Sequence, residues 1–209
     1  MTLRRKTFAV VLLAVAACGL SILSCRKDEI FVGPQGSESL YFPTSVGSRW
    51  TYAVHDSLTG RNDERTVRVT DTVRVTDSLT VYRWVTSDSL RPDTAYITLL
   101  RDTVRRVYLY NNNIAGSEIL YVLPLAVGDT FPSRCGETVV QRQDTVSVAA
   151  GQFPGSFVLR YTWFCFNAGG TEDLWFVPYV GLVKWHRTCF DFYEANELWE
   201  LTRYSLHGQ

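Results

Sequence analysis

The chain has 209 residues, with 21 basic and 21 acidic residues and a hydrophobic content of 46%. This length suits one domain with a sizeable core, and a net charge of zero argues against nucleic-acid binding, which needs a basic face. The sequence contains no G-x-S-x-G, H-E-x-x-H or phosphate-loop motif, and its three histidines are scattered. We therefore expect no catalytic site, no metal site and no cofactor.

The first 24 residues have the features of a secretory signal peptide. Arg4, Arg5 and Lys6 precede an uncharged run over residues 8–24, and such a run enters the bilayer with its cationic end held at the cytoplasmic side. An uncleaved transmembrane anchor is the alternative. It is disfavoured because 17 residues lie at the short end of what spans a bilayer, and Gly19 and Ser21 dilute the run.

Cys25 is the predicted start of the mature protein. Residues 22–25, Ile-Leu-Ser-Cys, resemble the lipobox of bacterial lipoproteins, in which the peptide is cut just before a cysteine that is acylated. The resemblance implies palmitate-type lipidation of Cys25 and anchoring in a membrane. Residues 15–18 also fit a lipobox, which makes Cys18 a rival site, but cleavage there would leave apolar residues 20–23 at the new N-terminus.

Residues 25–40 are predicted to be a lipidated flexible tether, because glycine, proline and serine give this segment little to pack. Lys27-Asp28-Glu29 resembles a surface-export signal of lipoproteins in some Gram-negative lineages, or is an ordinary solvated charge cluster. The expected location is therefore the cell envelope, lipid-anchored at the outer membrane, on either its periplasmic face or the cell surface.

Residues 41–209 are predicted to form a single β domain. Segments rich in valine, threonine and aromatic residues alternate with turn residues over 49–55, 66–76, 79–86, 95–100, 103–110, 137–148, 153–166, 173–177, 182–190 and 194–204. Because each segment follows closely on the last, an antiparallel meander is the simplest topology. The predicted fold class is all-β: one curved antiparallel sheet, as a half-barrel or an open barrel.

Alternation along these segments predicts the interior of the sheet. In residues 66–76 one face carries four valines, Val67, Val69, Val73 and Val75. In residues 153–166 both faces are partly apolar. A sheet with one face in solvent would have polar residues on that face, so the sheet is predicted to curl and cover part of it. The residues expected to line its interior, as a packed core or as candidate ligand-facing residues, are Trp50, Tyr52, Phe157, Leu159, Tyr161 and Trp163.

Three segments together resemble a known family: Phe42-Pro43 with residues 46–52, then residues 150–153, then residues 175–184. They are similar to a family of bacterial lipoproteins of unknown function, itself similar in fold to the periplasmic lipoprotein-carrier group, in which a curved antiparallel sheet forms a half-barrel. This chain departs from the pattern at Gln152, where threonine is usual, and at Tyr179, where glycine is usual. The resemblance implies no catalytic residue.

Charged residues of the later strands are expected to form surface pairs rather than a site. Those concerned are Lys184, His186 and Arg187 beside Glu172, Asp173 and Glu194.

Three cysteines follow Cys25, and in an oxidising compartment cysteines form disulfides before they act as thiols. A hairpin tip at Ala150-Gly151 places opposite each other residues whose numbers sum to about 300. This register pairs Cys135 with Cys165 and leaves Cys189 free, unless a bulge shifts it.

The predicted function is that of a non-enzymatic envelope lipoprotein, a binding or carrier module that holds an apolar molecule or a lipid on its curved sheet. The alternative is a structural or interaction lipoprotein that docks another envelope protein through its sheet surface. In both cases the membrane is a partner through the lipid anchor, and nucleic acid is not.

Overall fold

The computed structural model describes residues 41–207 apart from 78, 88–92, 101–104, 112, 134, 166–167 and 191–194. The predictions that concern residues 1–40, including the signal peptide, the lipidation of Cys25 and the tether, lie outside the described residues. Within the described ranges, the structure contains no helix with the length and apolar character needed to cross a membrane.

The described residues form twelve β-strands in a single antiparallel sheet. Their bounds are β1 Arg49–Asp56, β2 Arg61–Thr76, β3 Leu79–Ser87, β4 Asp93–Leu100, β5 Arg105–Asn111, β6 Asn113–Leu123, β7 Thr130–Pro132, β8 Gly136–Val148, β9 Gly151–Cys165, β10 Ala168–Val177, β11 Gly181–Phe190 and β12 Ala195–Ser205. The order across the sheet is β6-β5-β4-β3-β2-β1-β12-β11-β10-β9-β8-β7.

The topology is two six-stranded meanders, β1 to β6 and β7 to β12, joined by the pairing of β1 with β12. The two edge strands, β6 and β7, are consecutive in the chain, so the connection from one half to the other crosses the open side of the sheet. The sheet is not closed into a barrel. The prediction of an all-β fold with one curved, open antiparallel sheet is therefore confirmed.

The curl of the sheet follows from its core. Ile97 of β4 and Leu123 of β6 belong to the same buried cluster as Phe157 of β9 and Phe176 of β10. Strands β4 and β10 are six places apart in the sheet, so these side chains meet only because the sheet bends round on itself. A second cluster packs against strands β1, β11 and β12, with Trp50, Tyr52, Val183, Trp199 and Leu201 among its members.

Two strands, β6 and β7, were not predicted from the sequence. Strand β6 includes Gly116, Ser117 and Glu118, which do not favour strands, and β7 has only three residues, one of them Pro132. Pairing with a neighbouring strand outweighs local preference at both places.

The prediction that four valines of β2 share one face is wrong. A bulge between Val69 and Asp71 inserts Thr70 against strand β3, and an extra residue reverses the faces beyond it. Val69 is buried at 1% exposure, whereas Val73 and Val75 are 43% and 40% exposed. Side-chain alternation cannot reveal such a bulge. Val69 and Val73 are four residues apart, an even number, so the sequence alone places them on the same face.

The hairpin of β8 and β9 contains the predicted disulfide. Cys135 and Cys165 are bonded, with their Cα atoms 5.3 Å apart, and Cys189 is a free, buried thiol. The register is one residue off, since Gly136 faces Trp163 and the Phe164 amide donates to the Cys135 carbonyl. Two bulges of opposite sense, one in each strand, cancel, so this offset of one residue is the same at both ends of the hairpin. The cysteines lie within disulfide range despite it.

Candidate functional site

A cavity of about 480 Å³ lies inside the curl. Aromatic side chains dominate its walls and come from both halves of the sheet: Phe42, Trp50, Tyr52, Trp84, Tyr121, Phe176, Trp185 and Trp199. Four aliphatic residues, Val67, Ile97, Leu120 and Leu182, complete the apolar wall. Arg65, Arg187 and Glu197 supply charges at its border.

Strand β1 fixes two of the aromatic rings. Trp50 and Tyr52 are separated by one residue and therefore point to the same side of the strand. The Trp50 indole N–H donates to the carbonyl of Val180 at 2.7 Å, and the Tyr52 hydroxyl donates to the carbonyl of Leu182 at 2.8 Å. These bonds connect β1 to the start of β11 across the interior, so the two rings are held in place by the fold itself.

Ring contacts continue around the wall. Trp50 stacks on Trp84 with centroids 5.0 Å apart and planes inclined by 12°. The ring centroids of Trp185 and Trp199 lie 5.0 Å apart, and those of Tyr52 and Trp199, which form an edge contact, lie 5.8 Å apart. Such offset and edge contacts stabilise aromatic clusters beyond simple area burial.

The segment before β1 closes one end of the cavity. Phe42 contacts Trp84 of β3, Tyr121 of β6 and Phe176 of β10, at centroid distances of 5.7, 5.6 and 6.0 Å. The preceding carbonyl, of Tyr41, accepts a bond from the Tyr179 amide at 3.0 Å. Tyr179 itself adopts φ 69°, the left-handed region, which explains why a glycine suits this position in the resembling family.

Four charged residues of alternating sign cross the inner face beside the cavity: Glu172 of β10, Arg187 of β11, Glu197 of β12 and Arg65 of β2. We call them the charged row. Glu172 faces Arg187 directly across the strands, and Arg187 faces Glu197. Arg65 reaches over from β2 to Glu197 at 3.3 Å and lies 4.6 Å above the ring of Trp199.

The tryptophans of the wall bond to this row. The Trp185 indole N–H donates to Glu172 at 3.1 Å, and that of Trp199 donates to Glu197 at 3.1 Å. Arg187 contacts Glu172 at 3.7 Å through Nε, and the same Nε donates to the Cys189 thiol sulfur at 3.2 Å. The row therefore joins the polar border of the cavity to its aromatic wall.

Burial sets the protonation of these groups. It raises the pKa of the Glu172 carboxyl above its ordinary value, although Arg187 and the Trp185 N–H oppose the shift. For Arg187, burial alone would lower the pKa, but Cys189, Glu172 and Glu197 outweigh it, so the pKa is raised and the guanidinium stays charged. Burial also raises the pKa of the Tyr52 and Tyr121 hydroxyls, which remain protonated.

The six residues predicted as ligand-facing occupy three places. Trp50 and Tyr52 line the cavity. Phe157 and Leu159 are buried in the packed cluster on the side of β9, while Tyr161 and Trp163 continue the same face and are only partly buried. None of the last four is part of this cavity wall, and ligand contact stays a prediction for all six.

Sequence reasoning missed most of the wall and the charged row. Trp84, Trp185 and Trp199 lie on predicted strands, but only the curl brings them together. Glu172 and Arg187, expected as a surface pair, face inwards beside the cavity instead. The alternation of Trp185 and Arg187 on one side of β11 is the signal that could have indicated an inward charge. Among the described residues, no group of three histidine, cysteine or acidic residues could hold a metal.

Comparison with known proteins finds solved structures of similar fold. No protein-family model and no curated protein matches the sequence. One similar crystal structure is of a protein provisionally assigned as exported, with a YmcC-like fold, from Bacteroides fragilis NCTC 9343. It has 15% identity and a TM-score of 0.52, and the match covers 79% of this chain and 98% of that one.

A second is of a protein provisionally assigned as a lipoprotein from Parabacteroides distasonis ATCC 8503. It has 11% identity and a TM-score of 0.50, with the same coverage of 79% and 98%. At these identities the likeness shows the fold alone, and this chain is similar in fold to both proteins.

Proposed function

We propose that this protein is a non-enzymatic cell-envelope lipoprotein that binds an apolar molecule inside its curled sheet. The observation that carries the proposal is the aromatic cavity of about 480 Å³, which falls within the size range of small-molecule sites. Protein interiors rarely leave voids larger than a water molecule, so a space of this size with mainly aromatic walls suits a ligand.

The size of the cavity limits the ligand. Its volume of about 480 Å³ lies in the lower half of the range of small-molecule sites, about 300–1,000 Å³. A single alkyl chain or a small ring system fits, and a two-chain phospholipid does not. The resemblance to the lipoprotein-carrier group, in which a half-barrel sheet is also the scaffold, is compatible with such a ligand.

Export and lipid anchoring rest on the N-terminal sequence. The cationic and apolar segments and the lipobox at Cys25 support it, as do the assignments of the two structural neighbours as exported protein and lipoprotein. We propose that the lipid anchor lies in the outer membrane, on either its periplasmic face or the cell surface.

Palmitate labelling tests the anchor. Cys25→Ser should abolish incorporation of labelled palmitate, whereas Cys18→Ser should leave it unchanged. Labelling that is lost in Cys18→Ser and kept in Cys25→Ser would move the mature N-terminus to Cys18.

Binding is tested with N-phenylnaphthylamine, a neutral dye whose fluorescence rises in an apolar site. The protein used is the full mature chain with Cys25→Ser, which avoids detergent. Thr86 lines the cavity on β3, so Thr86→Trp should fill it and weaken dye binding by about tenfold or more. Thr80→Trp is the matched control, because Thr80 is an exposed residue of the same strand. The proposal fails if the parent does not bind the dye, or if both variants bind it as the parent does.

Docking of another envelope protein is the second candidate, and one observation favours it. Phe164 and Phe190 are 64% and 58% exposed and flank Gly169 on neighbouring strands. A photo-crosslinking residue at Phe190 should then capture one defined envelope protein in cells, and the same residue at exposed Leu58 should not. Equal crosslinking at both positions would exclude docking at this surface.

A further inference from the structure

We infer that the ligand of the cavity carries an anionic oxygen headgroup, a carboxylate or a phosphate, which Arg187 binds. The inference rests on the proposed function, because it requires that the cavity holds a ligand.

The two carboxylates of the charged row already have donors. Glu172 accepts from the Trp185 N–H through one oxygen and faces the Arg187 Nε through the other. Glu197 accepts from the Trp199 N–H and from Arg65, again with one oxygen for each. A ligand that offered only hydrogen-bond donors would therefore compete with bonds the fold has made.

Arg187 is in the opposite situation. Its Nε donates to the Cys189 sulfur, a weak acceptor, and its terminal Nη1 and Nη2 atoms have no acceptor within the described part of the chain. The side chain is 39% exposed and forms part of the cavity border. Two terminal nitrogens in one plane present the fork that binds a carboxylate or phosphate through two parallel bonds.

The position of Arg187 suits the end of an amphipathic ligand. Trp185 and Arg187 are two residues apart on β11, so both face the cavity. An apolar body packed against Trp185 and Trp199 would then place its terminal group next to the guanidinium.

A cationic headgroup suits the site less well. The face of Trp199 that could attract a cation is already covered by the guanidinium of Arg65, at 4.6 Å from the ring centroid. An incoming cation would also meet two arginines at the same border, against the single carboxylate of Glu197, which already pairs with Arg65.

Four dodecyl probes of similar length test the headgroup: dodecanoate, dodecyl phosphate, dodecan-1-ol and dodecylammonium. Each displaces N-phenylnaphthylamine from the full mature chain with Cys25→Ser, which gives its affinity. The variants are Arg187→Gln and, as the matched control, Arg160→Gln, which removes an arginine that pairs with Asp173 on the neighbouring pair of strands. The alcohol reports on the intact cavity in each variant.

The expected result is that one or both anions bind the parent about tenfold or more tightly than the alcohol, the effect of charge-assisted hydrogen bonds. Arg187→Gln should reduce the affinity for the anions to that for the alcohol measured in the same variant, and Arg160→Gln should change neither affinity. Preference for dodecanoate or for dodecyl phosphate identifies the headgroup.

Three outcomes would overturn the inference. The alcohol could bind as tightly as the anions, the ammonium could bind more tightly than either, or Arg187→Gln could leave anion binding intact. In all three the dye still binds, so the proposed function survives. Loss of dye binding to the parent would instead refute the proposed function itself. If Arg187→Gln does not fold, Arg187→Met keeps the apolar stem of the side chain without its charge and should likewise lose the anion preference.

Discussion

At the scale of single residues, two stacked tryptophans of the cavity wall differ in one hydrogen bond. The indole N–H of Trp50 donates to the Val180 carbonyl, whereas the indole nitrogen of Trp84 is buried and has no partner among the described residues. A bonded buried donor stabilises the fold, and an unpaired one destabilises it. Replacing each tryptophan therefore removes a bonded donor in one case and an unpaired donor in the other.

We predict that Trp50→Phe destabilises the protein more than Trp84→Phe. Both changes remove a similar volume, but only the first leaves a buried carbonyl without its donor, which costs about 1–3 kcal/mol. Urea unfolding of the two variants measures the difference in the free energy of unfolding. Equal losses would mean that the Val180 carbonyl finds another donor.

The raised pKa of Glu172 makes the free energy of unfolding depend on pH. Because burial raises its pKa in the folded protein above the ordinary value of 4.5, the folded state favours the protonated carboxyl. The stability that Glu172 contributes is then fully present below pH 4.5 and is lost as pH rises through the folded pKa.

Glu172→Gln mimics the protonated form at every pH and should gain stability over the parent as pH increases. Urea unfolding of both proteins between about pH 4 and pH 8 tests this sign, in the range where a raised carboxyl pKa acts. A difference that does not vary with pH, or that shrinks as pH rises, would contradict it.

At the scale of elements, the hairpin of β8 and β9 contains two bulges that offset each other. One bulge lies between Val140 and Arg142 and the other opposite Asp144 and Val146. Gly155, at φ 69°, supplies the left-handed conformation that the second bulge contains. Since the two shifts cancel, the open end of the hairpin returns to the register of its tip, and the disulfide joins Cys135 to a residue one position away from the one directly opposite.

Removal of this disulfide should destabilise the protein. The bond links residues 30 apart in sequence, and a loop of that length predicts a loss of about 3.7 kcal/mol when it is opened. The double variant Cys135→Ala, Cys165→Ala, compared with the parent by urea unfolding, measures it. Cys189→Ala serves as the control with no disulfide to lose, and a double variant as stable as the parent would contradict the prediction.

At the scale of the whole molecule, the interior of the curl is packed at one side and open at the other. Leu159 is fully buried in the cluster built on β9 and β10. Trp163, four residues further along the same face, is partly buried and faces Gly136 and Gly170 on the two neighbouring strands. The same strand therefore contributes to two different environments.

Leu159→Ala should cost about 2–5 kcal/mol, in the range of truncations in a packed core. Trp163→Ala should cost less, although it removes more atoms, because its side chain is partly in solvent already. Thermal and urea unfolding of the two variants give the ranking. A larger loss of unfolding free energy for Trp163→Ala would mean that the surroundings of Trp163 are packed more tightly than those of Leu159.

The sequence by itself determined the elements with strong local signals. Valine, threonine and aromatic residues between turn residues predicted ten of the twelve described strands, and the Ala150-Gly151 turn predicted the partner of Cys135. It also placed Trp50 and Tyr52 on one inward face. Each of these depends on residues close in the chain, where composition and alternation act directly.

Only the tertiary structure decided where the sheet bends, which strands form its edges and what faces the interior. Strand β6 and the three-residue β7 exist because neighbours pair with them, and the bulge at Thr70 exposes Val73. The cavity requires Trp84 of β3 to meet Trp50 of β1, and the charged row requires Arg65 of β2 to reach Glu197 of β12. Such contacts join residues far apart in the chain, and the register and curvature that create them come from the summed packing of the whole sheet.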